Sequence, residues 1–265
     1  MKKIGFIGCG KMSGAIIKGV LSSNSGYEII GSEINDELAQ AAAQRLGIKV
    51  LTDNKELVKT SDVVFLATKP NQALEVLNGV KDFVTPDKLF VSICAGITTS
   101  KIENILQGVK LVRIMPNTPA LVKLGMFGVC KGSNASESDE DFVISLLNKI
   151  GKCIKVEENQ MDIVTAISGS GPAFFYQVIE DMARAGEKLG LDYEKSLTLA
   201  TQTALGSAQM IFNRGETSVR TLIDNVATKG GCTFVGIQEM LQADTSKIFF
   251  DVISKTTEKA CQLGK

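Results

Sequence analysis

The 265-residue chain contains no histidine and no tryptophan, only three tyrosines and five prolines, and no Cys-x-x-Cys pair. Each absence removes a chemistry. Without histidine there is no imidazole base, no Ser–His–Asp triad and no His-ligated metal. The six cysteines (Cys9, Cys94, Cys130, Cys153, Cys232 and Cys261) follow no zinc spacing. They read as small buried thiols of a reducing compartment, and no metal is expected. No apolar run approaches the roughly 18 residues of a membrane helix. Basic and acidic residues number 29 each, and no basic run is studded with aromatics, so neither nucleic acid nor a membrane is an expected partner. The opening "MKKIGFIGCGKM" has the lysines of a signal peptide, but three glycines and a third lysine interrupt its apolar part. It reads as a first strand, and the expected location is cytoplasmic.

What is present follows two periods. Up to about residue 156, short β-rich runs ("KIGFIG", "YEIIGS", "IKVL", "DVVFLAT", "KLFVSIC", "KLVRIM", "GMFGVC", "KCIKV") alternate with helical stretches such as 36–46 and 71–80. That alternation predicts parallel βαβ units in an open α/β sheet. After about residue 158 the strands stop, and six runs from "MDIVTAISGSG" to "SKIFFDVISKTTEKACQLG" carry helical spacing. Pro172 suits a first helical turn, and Gly190 and Gly215 suit helix ends. The expected architecture is a Rossmann-type α/β domain over 1–157 and a smaller all-helical domain over 158–265. Leu199, Ala200, Ala204, Leu205, Ala208 and Ile211 spread apolar surface over more than one helix face, which predicts packing against another subunit.

"KIGFIGCGKMSGA" reads as strand, glycine turn and helix. Gly8 allows a tight turn, Gly10 lets backbone approach a pyrophosphate, and Ser13 supplies the small third residue of Gly-x-Gly-x-x-Gly. The second strand ends in Glu33, 23 residues beyond Gly10, close to the spacing of a carboxylate that binds an adenosine ribose. A carboxylate there repels a 2′-phosphate, and "EINDE" offers no Arg or Lys to hold one. The expected cofactor is therefore NADH or NADPH, with NADH favoured. Further loops follow strand ends at "ATKPNQ", "ICAGI" and "MPNTPA", where open α/β sheets bind ligands. Lys69 could face the nicotinamide edge or water.

"GFIGCGKM", "ATKP", "RIMPNTPA", "ISGSGPAFFY" and "DNVATKGGCT", in this order, resemble the pyrroline-5-carboxylate reductase family over essentially the whole chain. The combination of "MPNTPA", "SGSGPA" and Gly-Gly-x-Thr is the specific part. The resemblance implies reduction of L-1-pyrroline-5-carboxylate to L-proline by NADH or NADPH, the last step of proline synthesis. It implies a homodimer with interleaved helices, which in this family often assembles into a pentamer of dimers. It places the pyrophosphate turn at Ile7, Gly8, Cys9, Gly10, Lys11 and Met12, and the adenosine contacts at Glu33, Asn35 and Asn54. The nicotinamide end falls to Ala67, Thr68, Lys69 and Pro70, with Cys94, Ala95 and Gly96. Asn225 matches a polar residue near the cofactor. Gly230, Gly231, Cys232 and Thr233 match the substrate segment, and Glu158 a weaker substrate contact. Two departures stand out. The family usually has Ser-Pro before the glycines, where this chain has Thr228-Lys229. NADPH-preferring members commonly carry a small polar residue where Glu33 stands.

The implied chemistry suits a chain without histidine, since a protonated imine is already electrophilic and accepts hydride without a strong acid. Thr233 is expected to hydrogen-bond the ring nitrogen, with backbone N–H groups at Gly231, Cys232 and Thr233 holding the carboxylate at a helix start. The plain alternative makes Thr233 an N-cap. Cys232 reads as a space-filling residue. Two other readings stay open: another imine reductase or a hydroxyacid dehydrogenase of the same architecture, for whose acid–base Lys188 and Lys195 are available but lie in no matching segment, and a dinucleotide-binding protein without turnover.

Overall fold

All eight β-rich runs fold as strands: β1 (Lys3–Ile7), β2 (Glu28–Ser32), β3 (Lys49–Leu51), β4 (Val63–Leu66), β5 (Leu89–Ser92), β6 (Lys110–Met115), β7 (Gly125–Lys131) and β8 (Gly151–Lys155). The structure is a computed structural model that describes residues 2–22 and 26–263; Met1, Gly264 and Lys265, where the expected outer boundaries fall, lie outside the described residues. Among the described residues the strands form a single sheet of order β3-β2-β1-β4-β5-β6-β7-β8. The central strands are apolar on both faces because helices cover both faces. Ile4, Phe6 and Phe65 face one core, while Ile7, Val64 and Leu66 face the other. Phe6 of β1 stacks on Phe65 of β4 at 4.5 Å between ring centroids, in register across the parallel pair. Each such ring removed from water contributes about 1.5–3 kcal/mol.

The helices of this part are α1 (Lys11–Leu21), α2 (Asp36–Leu46), α3 (Asn54–Thr60), α4 (Pro70–Val80), α5 (Thr99–Ile105) and α6 (Glu137–Leu147). Their ends follow local chemistry. Asn35 caps α2 by accepting from the Leu38 N–H at 2.9 Å, and Gly47 ends it in a left-handed conformation. Pro70 opens α4, where its missing N–H costs nothing. Ser136 and Asp139 form a reciprocal capping box on α6.

Two strands, β7 and β8, depart from the all-parallel expectation. β7 runs antiparallel to β6, whereas β8 is parallel to β7. Only residues 116–124 join β6 to β7, holding a 3-10 turn over Thr118–Val122 and a left-handed Lys123. That is too short for a crossover helix, so the chain turns back beside β6.

The rest of the chain is helical: α7 (Met161–Val164), α8 (Gly171–Lys188), α9 (Tyr193–Phe212), α10 (Val219–Val226), α11 (Cys232–Gln242) and α12 (Thr245–Leu263). The "MDIVTAISGSG" run is not one α-helix. After α7 it loosens into a π-helical turn over Thr165–Gly169 before α8 begins. Two compact units result, Met1–Ser170 with Lys255–Lys265, and Gly171–Ser254. Within the second, α8 and α9 pack closely: a Cβ added at Gly186 would lie 2.5 Å from Ser196 Oγ. Large apolar side chains remain on its surface in the single chain, among them Phe175, Tyr176, Leu199, Met210 and Phe212. Among the described residues no helix is long and apolar enough to cross a membrane.

Candidate active site

The turn from Ile7 to Met12 joins β1 to α1 at the C-terminal edge of the sheet. β1 and β4 are neighbours there, and the chain leaves them in opposite directions along the sheet, which is where such folds hold ligands. Gly8 has φ +93°, and a Cβ on it would meet the Ala67 carbonyl oxygen at 2.8 Å. Its glycine is required twice over. A Cβ on Gly10 would touch nothing, so that face of the turn is open. Gly10 caps α1 without any side-chain hydrogen bond, which leaves the first N–H groups of the helix for an anion. Ser13, the small third residue, is buried. These features fit the pyrophosphate of a dinucleotide.

The expected adenosine residues cluster at the ends of β2 and β3. Glu33 is half-buried, and its Oε1 accepts from the Cys9 N–H at 2.7 Å. It is tied to the glycine turn, a link sequence spacing did not suggest. Asn54 opens α3 and accepts from the Ser32 hydroxyl at 2.7 Å. Arg45, near the end of α2, donates from its guanidinium to the Cys9 carbonyl. Sequence reading missed Arg45 because it sought cations only in the four residues after Glu33.

The two loops expected at the nicotinamide end are joined by a thiol. Cys94 is buried, and its Sγ donates toward the carbonyls of Leu66 at 3.5 Å and Thr68 at 3.4 Å. Burial pushes this thiol up to about 11 and that of Cys9 up to about 12, so neither is a nucleophile near neutrality. Gly96 takes φ +74° in the turn that follows. Lys69 is exposed at the start of α4. Not all six cysteines are buried as expected: Cys232 and Cys261 are exposed in the single chain, at the first residue of α11 and in the last turn of α12.

"MPNTPA" carries an asparagine that the search for site residues passed over. Asn117 is buried; its Oδ1 accepts from the Met126 N–H at 2.9 Å and its Nδ2 donates to Ser168 Oγ at 3.4 Å. The π-helical "ISGSG" turn is thereby tied to the loop after β6. A Cβ on Gly169 would lie 2.6 Å from Met115 Cε, so the two segments pack closely there. Glu158 is bound to buried Arg113 of β6 at 2.6 Å.

In the helical unit, α10 ends at Val226 with Asn225 exposed in its last turn. Gly230 takes φ +82°, and Gly231 becomes the N-cap of α11 with no side-chain cap. Thr233 is the second helical residue, so the N-cap alternative for it fails on geometry. Its hydroxyl and the N–H groups of the first turn stand at an uncapped helix start whose partial charge is about +0.5. The structure thus groups residues 7–12, 33, 67–70 and 94–96 in one unit and Asn225 with 230–233 in the other.

A protein described as pyrroline-5-carboxylate reductase from Methanosarcina acetivorans is 37% identical over 267 residues, covering 100% of this chain and 98% of that protein. The chain belongs to the pyrroline-5-carboxylate reductase family. It is an NAD(P)H-dependent oxidoreductase acting on a cyclic imine. Pyrroline-5-carboxylate reductase 1 of Bacillus subtilis is 32% identical, with 100% and 90% covered. A family model described as pyrroline-5-carboxylate reductase dimerisation matches residues 158–263, and one described as NADP oxidoreductase, coenzyme F420-dependent, matches residues 3–96. Among solved structures, the Coxiella burnetii pyrroline-5-carboxylate reductase superposes with a TM-score of 0.91 at 31% identity, covering 99% and 98% of the two chains. The Plasmodium falciparum pyrroline carboxylate reductase, with NADP bound, does so with a TM-score of 0.88 at 32% identity over 100% and 98%.

Proposed function

We propose that the chain reduces L-1-pyrroline-5-carboxylate to L-proline, holding the substrate carboxylate at the start of α11. The observation that carries this assignment is the Gly230–Thr233 segment. A left-handed glycine and an uncapped helix start leave backbone N–H groups and the Thr233 hydroxyl for a small anionic ring. A nicotinamide cofactor bound at the Gly8–Gly10 turn supplies the hydride. Thr233 orients the imine nitrogen, and the Cys232 and Thr233 N–H groups hold the carboxylate, while the Gly231 N–H is taken by the Thr228 carbonyl at 2.9 Å. The imine arrives protonated, so orientation and electrostatics are the protein's share of the work. Lys69 stands at the nicotinamide end, where its positive charge favours the loss of charge at the protonated imine as hydride arrives. Asn225 belongs to the cofactor side.

Glu33 supports a preference for NADH over NADPH, because its carboxylate opposes a 2′-phosphate. The exposed aromatic and aliphatic faces of the helical unit support a homodimer whose helical part begins at residue 158, and we extend this to a pentamer of dimers. The six free cysteines support a cytoplasmic location. Steady-state kinetics with pyrroline-5-carboxylate and each cofactor, beside a 3-hydroxyacid/keto-acid pair, tests the assignment; turnover of the hydroxyacid without turnover of the imine overturns it. Light scattering on the purified protein tests the assembly.

A further inference from the structure

Both carboxylate oxygens of Glu158 are engaged inside the nucleotide-binding unit. Oε1 accepts from Arg113 Nη1 at 2.6 Å and from the Thr99 N–H at 3.1 Å. Oε2 accepts from Cys130 Sγ at 2.9 Å. The three donors come from β6, the first residue of α5 and β7. Arg113 is 2% exposed, and a guanidinium so buried is costly unless paired. The Thr99 N–H is one of those a helix leaves without an internal partner. Thr98, the N-cap, satisfies the Lys101 N–H and not this one.

The α5 start lies three residues beyond Gly96. The loop from Cys94 to Thr98 is therefore pinned at both ends. At one end the Cys94 thiol reaches the carbonyls of Leu66 and Thr68. At the other, Glu158 holds the Thr99 N–H, itself anchored by Arg113. The geometry points to Glu158 as a positioning residue for the nicotinamide loop, acting through the Thr99 N–H and Arg113 rather than by touching the imine. This rests on the assignment of Cys94–Gly96 to the nicotinamide end.

Thr99→Pro is a surgical test. Thr99 is the first residue of α5 and Thr98 is extended (φ −73°, ψ 158°), so proline fits the backbone and removes the N–H that Glu158 holds together with the buried Thr99 side chain, for which Thr99→Val is the control. Thr99→Pro and Glu158→Gln are compared with the parent in the full-length enzyme, by steady-state kinetics and thermal melting. The cofactor KM rises at least about fivefold in both variants while the imine KM stays within about twofold. A rise in imine KM with an unchanged cofactor KM in Glu158→Gln makes Glu158 a substrate contact and overturns the inference. A lowered Tm with both KM values unchanged makes it a purely structural tie and also overturns it. Gly96→Val separates the two levels: an unchanged cofactor KM there means that the loop does not line the nicotinamide, whereas a raised one alongside an unaffected Thr99→Pro means that only the pinning fails.

Discussion

The Glu33 carboxylate accepts a 2.7 Å hydrogen bond from the Cys9 N–H, 24 positions away in the chain. The Arg45 guanidinium donates to the carbonyl of the same residue. One residue of the glycine turn is thus held by an anion and a cation from two different elements. Glu33→Ser removes the repulsion of a 2′-phosphate and the hold on Cys9 together. The ratio of kcat/KM for NADPH to that for NADH is expected to rise at least about tenfold, roughly 1.4 kcal/mol. Both KM values are expected to increase as the turn loosens. A parent enzyme that already prefers NADPH strongly would remove the basis for the expectation.

Thr233→Ala separates chemistry from helix capping. Gly231, not Thr233, occupies the N-cap of α11. Stability is therefore expected to stay within about 0.5 kcal/mol of the parent. The kcat/KM for the imine is expected to fall at least about tenfold. Equal kcat/KM values for variant and parent would leave the ring nitrogen without its proposed partner.

Asn117→Leu strands the Met126 N–H in the interior and releases Ser168. An unsatisfied buried donor costs about 1–3 kcal/mol. A free energy of unfolding in urea lowered by that amount is expected, with Ser168→Ala costing less because the backbone N–H keeps its acceptor.

The buried thiols set an alkaline limit. Burial raises Cys9 from 9.0 to about 12, and Cys94 and Cys153 to about 11. Above pH 9 the unfolded chain releases these protons while the folded chain keeps them, so the unfolded state binds fewer protons and stability falls with rising pH. The contribution is whole below pH 9 and is lost as pH climbs toward the folded values near 11. Denaturation at pH 8, 9 and 10 should show this decline, and Cys94→Ala should flatten it. An unchanged slope in that variant would assign the alkaline loss to other groups.

Much of this molecule is decided locally. All eight strands were legible because two-sided burial demands apolar runs such as "VVFLA". The helix ends at Asn35, Gly47 and Pro70 are local too, since each acts over one turn, but they were recognised only in the structure. The glycine turn was legible for the same reason, since Gly8 answers to its own φ and to a close neighbour. The Gly230–Thr233 segment was found as a motif; the structure then removed the capping role from Thr233.

Other features depend on which distant segments meet. The reversal of β7 was not legible, because the β6–β7 connection has the composition of any loop and only its length forbids a crossover. The π-helical turn after α7 hides within a helical pattern. Arg45 reaches Cys9 across 36 positions and Arg113 reaches Glu158 across 45. No local pattern records such pairs, because a charged side chain takes its partner from packing and not from spacing. By itself the sequence determined the elements, the dinucleotide turn and the family; the tertiary structure alone decided the direction of β7 and the hydrogen-bond partners of Glu33 and Glu158, because those depend on distances that only the folded sheet brings within reach.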